Sequence, residues 1–255
     1  MDIQQLDQQY IAGTYKRVPL TLTEGHGACL TDAQGKEYID LGSGIAVNTF
    51  GTADPGWTEA VTAQLRKLSH TSNYYYTEPM ARLAAMLCER TGMSKVFFSN
   101  SGAEANECAI KAARKYSLDK YGEGRSKIIT LADGFHGRTI TTLAATGQDS
   151  LHTYFGPFTE GFDYVPAGDK EALSAAADGS CCAVMMELIQ GEGGVNVLSR
   201  EYVDYVVRLA EERDLLLVVD EVQTGNGRTG RLYAHMHYGF QPDIFSTAKG
   251  LAGGP

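Results

Sequence analysis

A short apolar run followed by a glycine- or serine-bearing loop recurs along this chain from about residue 95 onward. "KVFFSN" leads into "SGAEANECAIKAARKYSLDKYG", and "KIITLAD" into "GFHGRTITTLAA". "CCAVMMELIQ" passes through "GEGG" to "SREYVDYVVRLAEERD", "LLLVVDEV" enters "QTGNGRTG", and "DIFSTAK" comes last. A strand with no polar face must be covered on both sides. Such strands alternating with helices therefore predict an α/β fold, a mostly parallel sheet with helices on both faces. In sheets of this kind ligands bind beyond the carboxyl ends of the strands. The residues just after each apolar run are the ones to read for chemistry.

Upstream, "LTLTEGHGACLTDAQGKEYIDL" alternates like paired strands, with a turn at Asp32 to Gly35. "GSGIAVNTFG" reads as a glycine-rich loop. Ala60, Val61, Gln64, Leu65 and Leu68 recur at helical spacing in a helix from Trp57 to Leu68, and a second helix is expected from about Met80 to Arg90. The chain divides into an N-terminal segment over 1–50 and a larger α/β domain over 51–255.

The net charge of −9 argues against nucleic acid or an anionic membrane as partner. No apolar stretch reaches the roughly 20 residues of a membrane span, and "MDIQQLDQQY" lacks the layout of a signal peptide, so the cytoplasm is the expected compartment. Cys29, Cys88, Cys108, Cys181 and Cys182 match no zinc or redox spacing and read as reduced thiols.

After "KVFF", Ser99, Asn100, Ser101 and Gly102 precede a helix opening near Ala103. The first N–H groups of a helix and the positive end of its dipole hold anions; a serine there is equally an ordinary cap. After "KIITLAD" come Phe135, able to stack on a flat ring or to pack in its loop, and Arg138, able to clamp a carboxylate or to sit in solvent. Asp220 ends the apolar run "LLLVV", where an acid needs a partner. Glu221 points to the opposite side of the strand and reads as structural. Gln223 follows and can donate a neutral hydrogen bond. Lys249 comes after the last strand among small residues, either as a surface lysine or as a desolvated amine reactive toward carbonyls. An anion cradle, a stacking ring, an acid for a ring nitrogen and an amine for an aldehyde together match the needs of pyridoxal phosphate.

Two other patterns carry less. Gly225, Gly227 and Gly230 fit a dinucleotide fingerprint, with Asp243 downstream, but "RLYAHMHYGFQPD" lacks the helical periodicity such a site requires. His235 and His237 form an H-x-H pair with no third metal ligand nearby in sequence.

The segments "FFSNSGAEANECAIKAARKY", "GFHGRTITTLAATGQ", "ELIQGEGGVN", "VVDEVQTGNGRTG" and "DIFSTAKGLAGG" resemble, in order, the signature segments of the class III pyridoxal-phosphate aminotransferases. The likeness extends through "GKEYIDLGSGIAVN" and "HTSNYYYTEP" to nearly the whole chain. Within the class, "SNYYYTEP", "FHGRT" and "GFDYVPAGD" lean toward the acetylornithine aminotransferases.

The resemblance implies the fold type I large domain, a homodimer and roles at matching positions. Lys249 joins the cofactor aldehyde and, once freed, moves a proton between substrate and cofactor carbons. Asp220 keeps the ring nitrogen protonated, Gln223 bonds the phenolic oxygen, Phe135 stacks, and Ser101, Gly102 and Ala103 bind phosphate. Arg138 holds the substrate carboxylate, and Glu192 gates an arginine further along the family's chains. No metal is implied. The implied reaction is ping-pong amino transfer, from N2-acetylornithine, or from ornithine, succinylornithine or another ω-amino acid, to 2-oxoglutarate.

Members of the resembled family continue past the lysine. In their fold the next segment returns as an antiparallel strand between the counterparts of "KVFFSN" and "DIFSTAK", and the later region completes the substrate pocket. The 255 residues are therefore expected to be a truncated form, at most cofactor-binding and without turnover, with a gap in the sheet. That gap is expected to be closed by direct pairing, by a strand from another chain or by a separate C-terminal piece.

Overall fold

The computed structural model describes residues 2–254, which pack as two compact units: residues up to Tyr75 together with the last residues from Gly253, and Tyr76–Ala252. The expected boundary lies at residue 50; the observed one lies at Tyr75–Tyr76.

The first unit opens with helix α1 (Ile3–Tyr10). Asp2 accepts the Gln5 N–H at 2.8 Å and its own N–H donates back to Gln5 Oε1 at 3.0 Å, a reciprocal cap that the polar look of the N-terminus conceals. Strands β1 (Leu22–His26), β2 (Cys29–Asp32) and β3 (Glu37–Ile39) form an antiparallel sheet in that order. The turn at Asp32–Gly35 closes because the Asp32 carboxylate accepts the N–H groups of Gln34 and Lys36, each at 2.9 Å, and the Tyr38 hydroxyl at 2.8 Å. The glycine-rich loop contains one turn, α2 (Ser43–Ala46), with Gly44 and Ile45 at positive φ. Helix α3 (Pro55–Lys67) starts on an Asp54 cap with proline in its first turn.

The second unit carries helix α4 (Glu78–Thr91), which stops at left-handed Gly92, and the 20-residue helix α5 (Gly102–Tyr121). Then follow β4 (Lys127–Leu131), α6 (Ile140–Ala145), the turn α7 (Asp149–His152), β5 (Phe162–Val165), α8 (Lys170–Ala176) and β6 (Cys181–Met186). A two-residue hairpin, β7 (Ile189–Gln190) and β8 (Asn196–Val197), precedes α9 (Arg200–Arg213), β9 (Leu216–Asp220), the turn α10 (His235–Tyr238) and β10 (Ile244–Ser246).

The central sheet runs β10-β9-β6-β4-β5, and every pairing in it is parallel. Alternate residues of each strand enter two separate cores. Ile129, Val184, Met186, Leu217 and Val219 pack with α8 and α9 residues such as Leu173, Val203 and Val206. Ile128, Met185 and Val218 pack with Ala109, Ile110 and Ala113 of α5. Both faces are thus covered by helices, which is why the strands tolerate no polar side.

"KVFFSN" is the exception. Residues 95–100 form no strand, and Phe97 is exposed. An extended run becomes a strand only where a neighbour exchanges backbone hydrogen bonds with it. β10, at the sheet edge, pairs with β9 alone, so the two segments do not pair with each other. No described helix is long and apolar enough to cross a membrane, and all five cysteines are free.

Candidate functional site

The parallel strands aim their carboxyl ends the same way, so the loops after β4, β6, β9 and β10 gather at one edge of the sheet. The anchor is Asp220, buried as the last residue of β9. Its Oδ2 accepts Asn106 Nδ2 at 2.7 Å and His136 Nδ1 at 2.8 Å, and its Oδ1 accepts the Val222 N–H at 3.0 Å and the Ser246 hydroxyl at 3.3 Å. Donors face both oxygens, which is the environment of an ionised carboxylate. Asp220 thereby ties together α5, the loop after β4, and the ends of β9 and β10.

Lys249 begins a 3₁₀ turn (Lys249–Leu251) with φ of 44°. A left-handed angle at a residue other than glycine or asparagine is strained, and such strain gathers at functional positions. Its amine is half-buried. Burial lowers its pKa from the ordinary lysine value, against the opposing pull of the Glu192, Asp220 and Glu187 carboxylates. Asn226 Nδ2 donates at 3.0 Å both to Thr247 Oγ1 and to the Ala248 carbonyl, joining the loop after β9 to the residues before the lysine.

The loop after β4 is pinned along its length. Gln148 Nε2 donates to the Gly134 carbonyl at 3.0 Å, the Phe135 N–H to Glu187 Oε2 at 2.8 Å, and the His136 N–H to Thr146 Oγ1 at 2.9 Å. Asn106 Nδ2 also reaches the His136 carbonyl at 2.8 Å. Phe135 is held half-buried. Arg138 stands at the end of this loop, exposed and without a hydrogen-bond partner among the described residues. Glu192 is exposed in the turn between β7 and β8. Gln223 lies against Gly191: a Cβ there would fall 1.7 Å from Gln223 Oε1.

Ser101 caps α5, its hydroxyl accepting the Glu104 N–H at 3.2 Å. The Glu104 carboxylate folds back onto the Asn100 N–H at 2.7 Å, and these Asn100 hydrogen bonds lead the causes that hold its pKa low. The N–H groups of Gly102 and Ala103 open the helix beyond that cap and belong to the set without intrahelical acceptors. Gly102 sits where a Cβ would lie 2.7 Å from Val222 Cγ1, so the helix start and the exit of β9 approach as closely as backbone allows. Gly102→Ala is expected to destabilise the protein by about 1–3 kcal/mol; a urea midpoint equal to that of the parent would show that Val222 moves aside freely.

Three residues of the cluster went unread in the sequence. Asn106 lies one helical turn beyond Gly102. His136 hid between Phe135 and Arg138. Glu187 ends the apolar run "CCAVMM" as Asp220 ends "LLLVV", and the same signal of an acid closing an apolar strand marks both. Glu221, read as structural, is fully buried and accepts the N–H groups of Ala234 at 2.9 Å and His235 at 2.8 Å and faces His235 Nδ1 at 3.0 Å. The dinucleotide-like glycines are followed only by the single turn α10, which offers no helix to a pyrophosphate.

Residues 10–255 match the aminotransferase class-III family. An acetylornithine aminotransferase from Haemophilus ducreyi is 55% identical over 253 residues, 99% of this chain and 64% of that protein. A succinylornithine transaminase from Citrobacter koseri is 45% identical over 246 residues, 96% of this chain and 61% of that protein. The solved ornithine aminotransferase of Toxoplasma gondii, which shows partial occupancy of PLP at its active site, matches with a TM-score of 0.92 and 35% identity over 98% of this chain and 60% of its own. The chain thus spans less than two thirds of the length of these relatives. With the family's segments matched in order and its parallel sheet in place, the chain belongs to the class-III aminotransferases.

Proposed function

We propose that the chain binds pyridoxal 5′-phosphate and serves transamination from N2-acetylornithine to 2-oxoglutarate, yielding N-acetylglutamate 5-semialdehyde and glutamate. One observation carries this reading: an ionised acid buried at the exit of β9 accompanies, at the exit of the neighbouring strand β10, a lysine whose basicity is lowered by burial.

The donor set fits the cofactor. Of the four groups on Asp220, the Ser246 hydroxyl is the most distant at 3.3 Å and can rotate away, freeing Oδ1 for a ring N–H. Gly102 and Ala103 offer N–H groups to phosphate at the start of a long helix, beside Ser101. Phe135 supplies a face for stacking, and Gln223 an amide for the phenolic oxygen. When bound, the cofactor supplies an aldehyde for the amino group and a ring that takes up electrons from the cleaved C–H bond. Lys249 is the residue that moves the proton, and its lowered basicity raises the share of neutral amine available for the task. Asp220 holds a proton on the ring nitrogen. Arg138, an exposed cation after β4, meets the substrate carboxylate, and Glu192, exposed between β7 and β8, gates an arginine of the kind the family carries further along its chains.

The same reading includes a homodimer in the cytoplasm. Tyr74 and Tyr75 of the first unit are exposed aromatics suited to burial against a second subunit.

The reading is tested by supplying acetylornithine, ornithine or N2-succinylornithine with 2-oxoglutarate and measuring glutamate by mass spectrometry. Acetylornithine is expected to be preferred. Cofactor binding with no glutamate from any donor would confine the chain to cofactor binding. In a chain of the relatives' full length, Arg138→Lys loses the planar fork that grips a carboxylate and is expected to raise KM for donor and keto acid by about tenfold or more. A change in cofactor affinity alone would remove Arg138 from the substrate site.

A further inference from the structure

β4 and β6 are neighbours, so the residue after β6, Glu187, lies beside the loop after β4. Its carboxylate is buried and receives the Phe135 N–H at 2.8 Å. The His136 imidazole is buried as well, with Nδ1 on Asp220 and Nε2 lacking any partner among the described residues. Nε2 and Glu187 Oε2 flank the same point, 3.4 and 3.7 Å from where a Cβ on Gly134 would stand.

Asp220 Oδ2 already accepts the Asn106 amide, and an ionised carboxylate donates nothing, so Nδ1 must carry the proton shared with Asp220. Besides Asp220, the carboxylate whose charge reaches the buried ring is Glu187.

We propose that Glu187 is a positioning residue for Asp220, acting through His136: its carboxylate clamps the loop that presents the ring and supplies the negative charge that keeps the imidazole a cationic donor to Asp220. This rests on the reading of Asp220 as the acid that faces the cofactor ring.

The electrostatics run in the same direction. Burial alone would depress the His136 pKa; the Asp220 hydrogen bond and the charges of Asp220 and Glu187 outweigh it and raise the pKa above its ordinary value. Burial pushes the Glu187 carboxyl up to about 7, against the pull of His136 and with the push of Asp220. The ionisable groups acting on Glu187 are His136 from the β4 loop, Asp220 from β9 and Lys249 beyond β10. Both raised groups bind more protons folded than unfolded. Their contribution to stability is therefore full at acid pH and falls as pH rises from the ordinary carboxyl range through neutrality.

The test is Glu187→Gln in the cofactor-free chain, since glutamine keeps the shape and can still accept the Phe135 N–H. In 15N-histidine NMR, His136 of the parent is expected to titrate above 6.5 with its proton on Nδ1, and Glu187→Gln to lower that pKa by about one unit. Urea unfolding should show the parent losing stability between about pH 5 and pH 8 and the variant losing less. An unchanged His136 pKa in a folded variant overturns the proposal. Should the variant fail to fold, the parent decides the matter: a His136 titrating at or below 6.5 overturns it equally. None of these readings uses pyridoxal phosphate, so failure to bind cofactor, which strikes the functional proposal, is told apart from failure of the link between Glu187 and His136.

Discussion

Lys249→Ala is expected to end covalent capture of pyridoxal phosphate and, in a chain of the relatives' full length, to lower turnover by roughly 10⁴-fold, the upper range for a positioned acid–base group. The lysine is the amine at the exit of β10, and its lowered basicity favours the neutral form that attacks an aldehyde. Borohydride reduction in the presence of the cofactor, followed by peptide mapping, should place the label on Lys249 in the parent and remove it in the variant. Label on Lys111 or Lys127 would sink the assignment. Noncovalent cofactor binding should persist in part, because the Gly102 and Ala103 N–H groups, Phe135 and Asp220 are untouched. The substitution also places a smaller residue at a φ of 44°, which leaves the backbone strain in place.

In a chain of the relatives' full length, Asp220→Asn is expected to reduce turnover by about 10²–10³-fold, as does the loss of a preorganised charge at a reacting centre. An amide cannot hold a ring nitrogen protonated. It also cannot satisfy its own surroundings. Asn106 and His136 donate to one oxygen, and Val222 and Ser246 to the other. Whichever way the amide turns, its NH2 faces donors, at a cost of about 1–3 kcal/mol in stability. Two measurements separate the effects: the loss of turnover should exceed the loss of cofactor affinity, and the unfolding midpoint should fall in the cofactor-free protein. Parent-like turnover would refute the catalytic role; a parent-like midpoint would refute the hydrogen-bond geometry.

The strands legible in the sequence were those with apolar residues on both faces. β4, β6 and β9 are such runs, and each ends in a residue or loop of the site. β5 was not read because "FDYV" alternates polar and apolar residues at a sheet edge, where one side needs no second partner. The hairpin β7–β8 is two residues on each side, too short for any period to show. "KVFF" has the composition of a strand, yet composition cannot provide the neighbour that a strand requires. Among site residues, Asp220 and Lys249 stood out by position after apolar runs. His136 and Asn106 gave no such signal, because their importance comes from meeting Asp220 across the fold and not from their flanking residues.

The Asn106–Asp220 hydrogen bond joins residues 114 apart in the chain, and His136–Asp220 joins residues 84 apart. Contacts of that separation close late, after the loops between them have paid their entropy. On the proposed assignment, the acid, the ring face and the anion cradle are complete only where these long-range contacts have closed. A ligand that binds only the finished arrangement stabilises it by mass action and leaves incomplete forms exposed to proteases. Resistance to limited proteolysis that rises with pyridoxal phosphate concentration would thus count completed molecules, and the cofactor would serve the cell as an assay of whether this chain has finished folding.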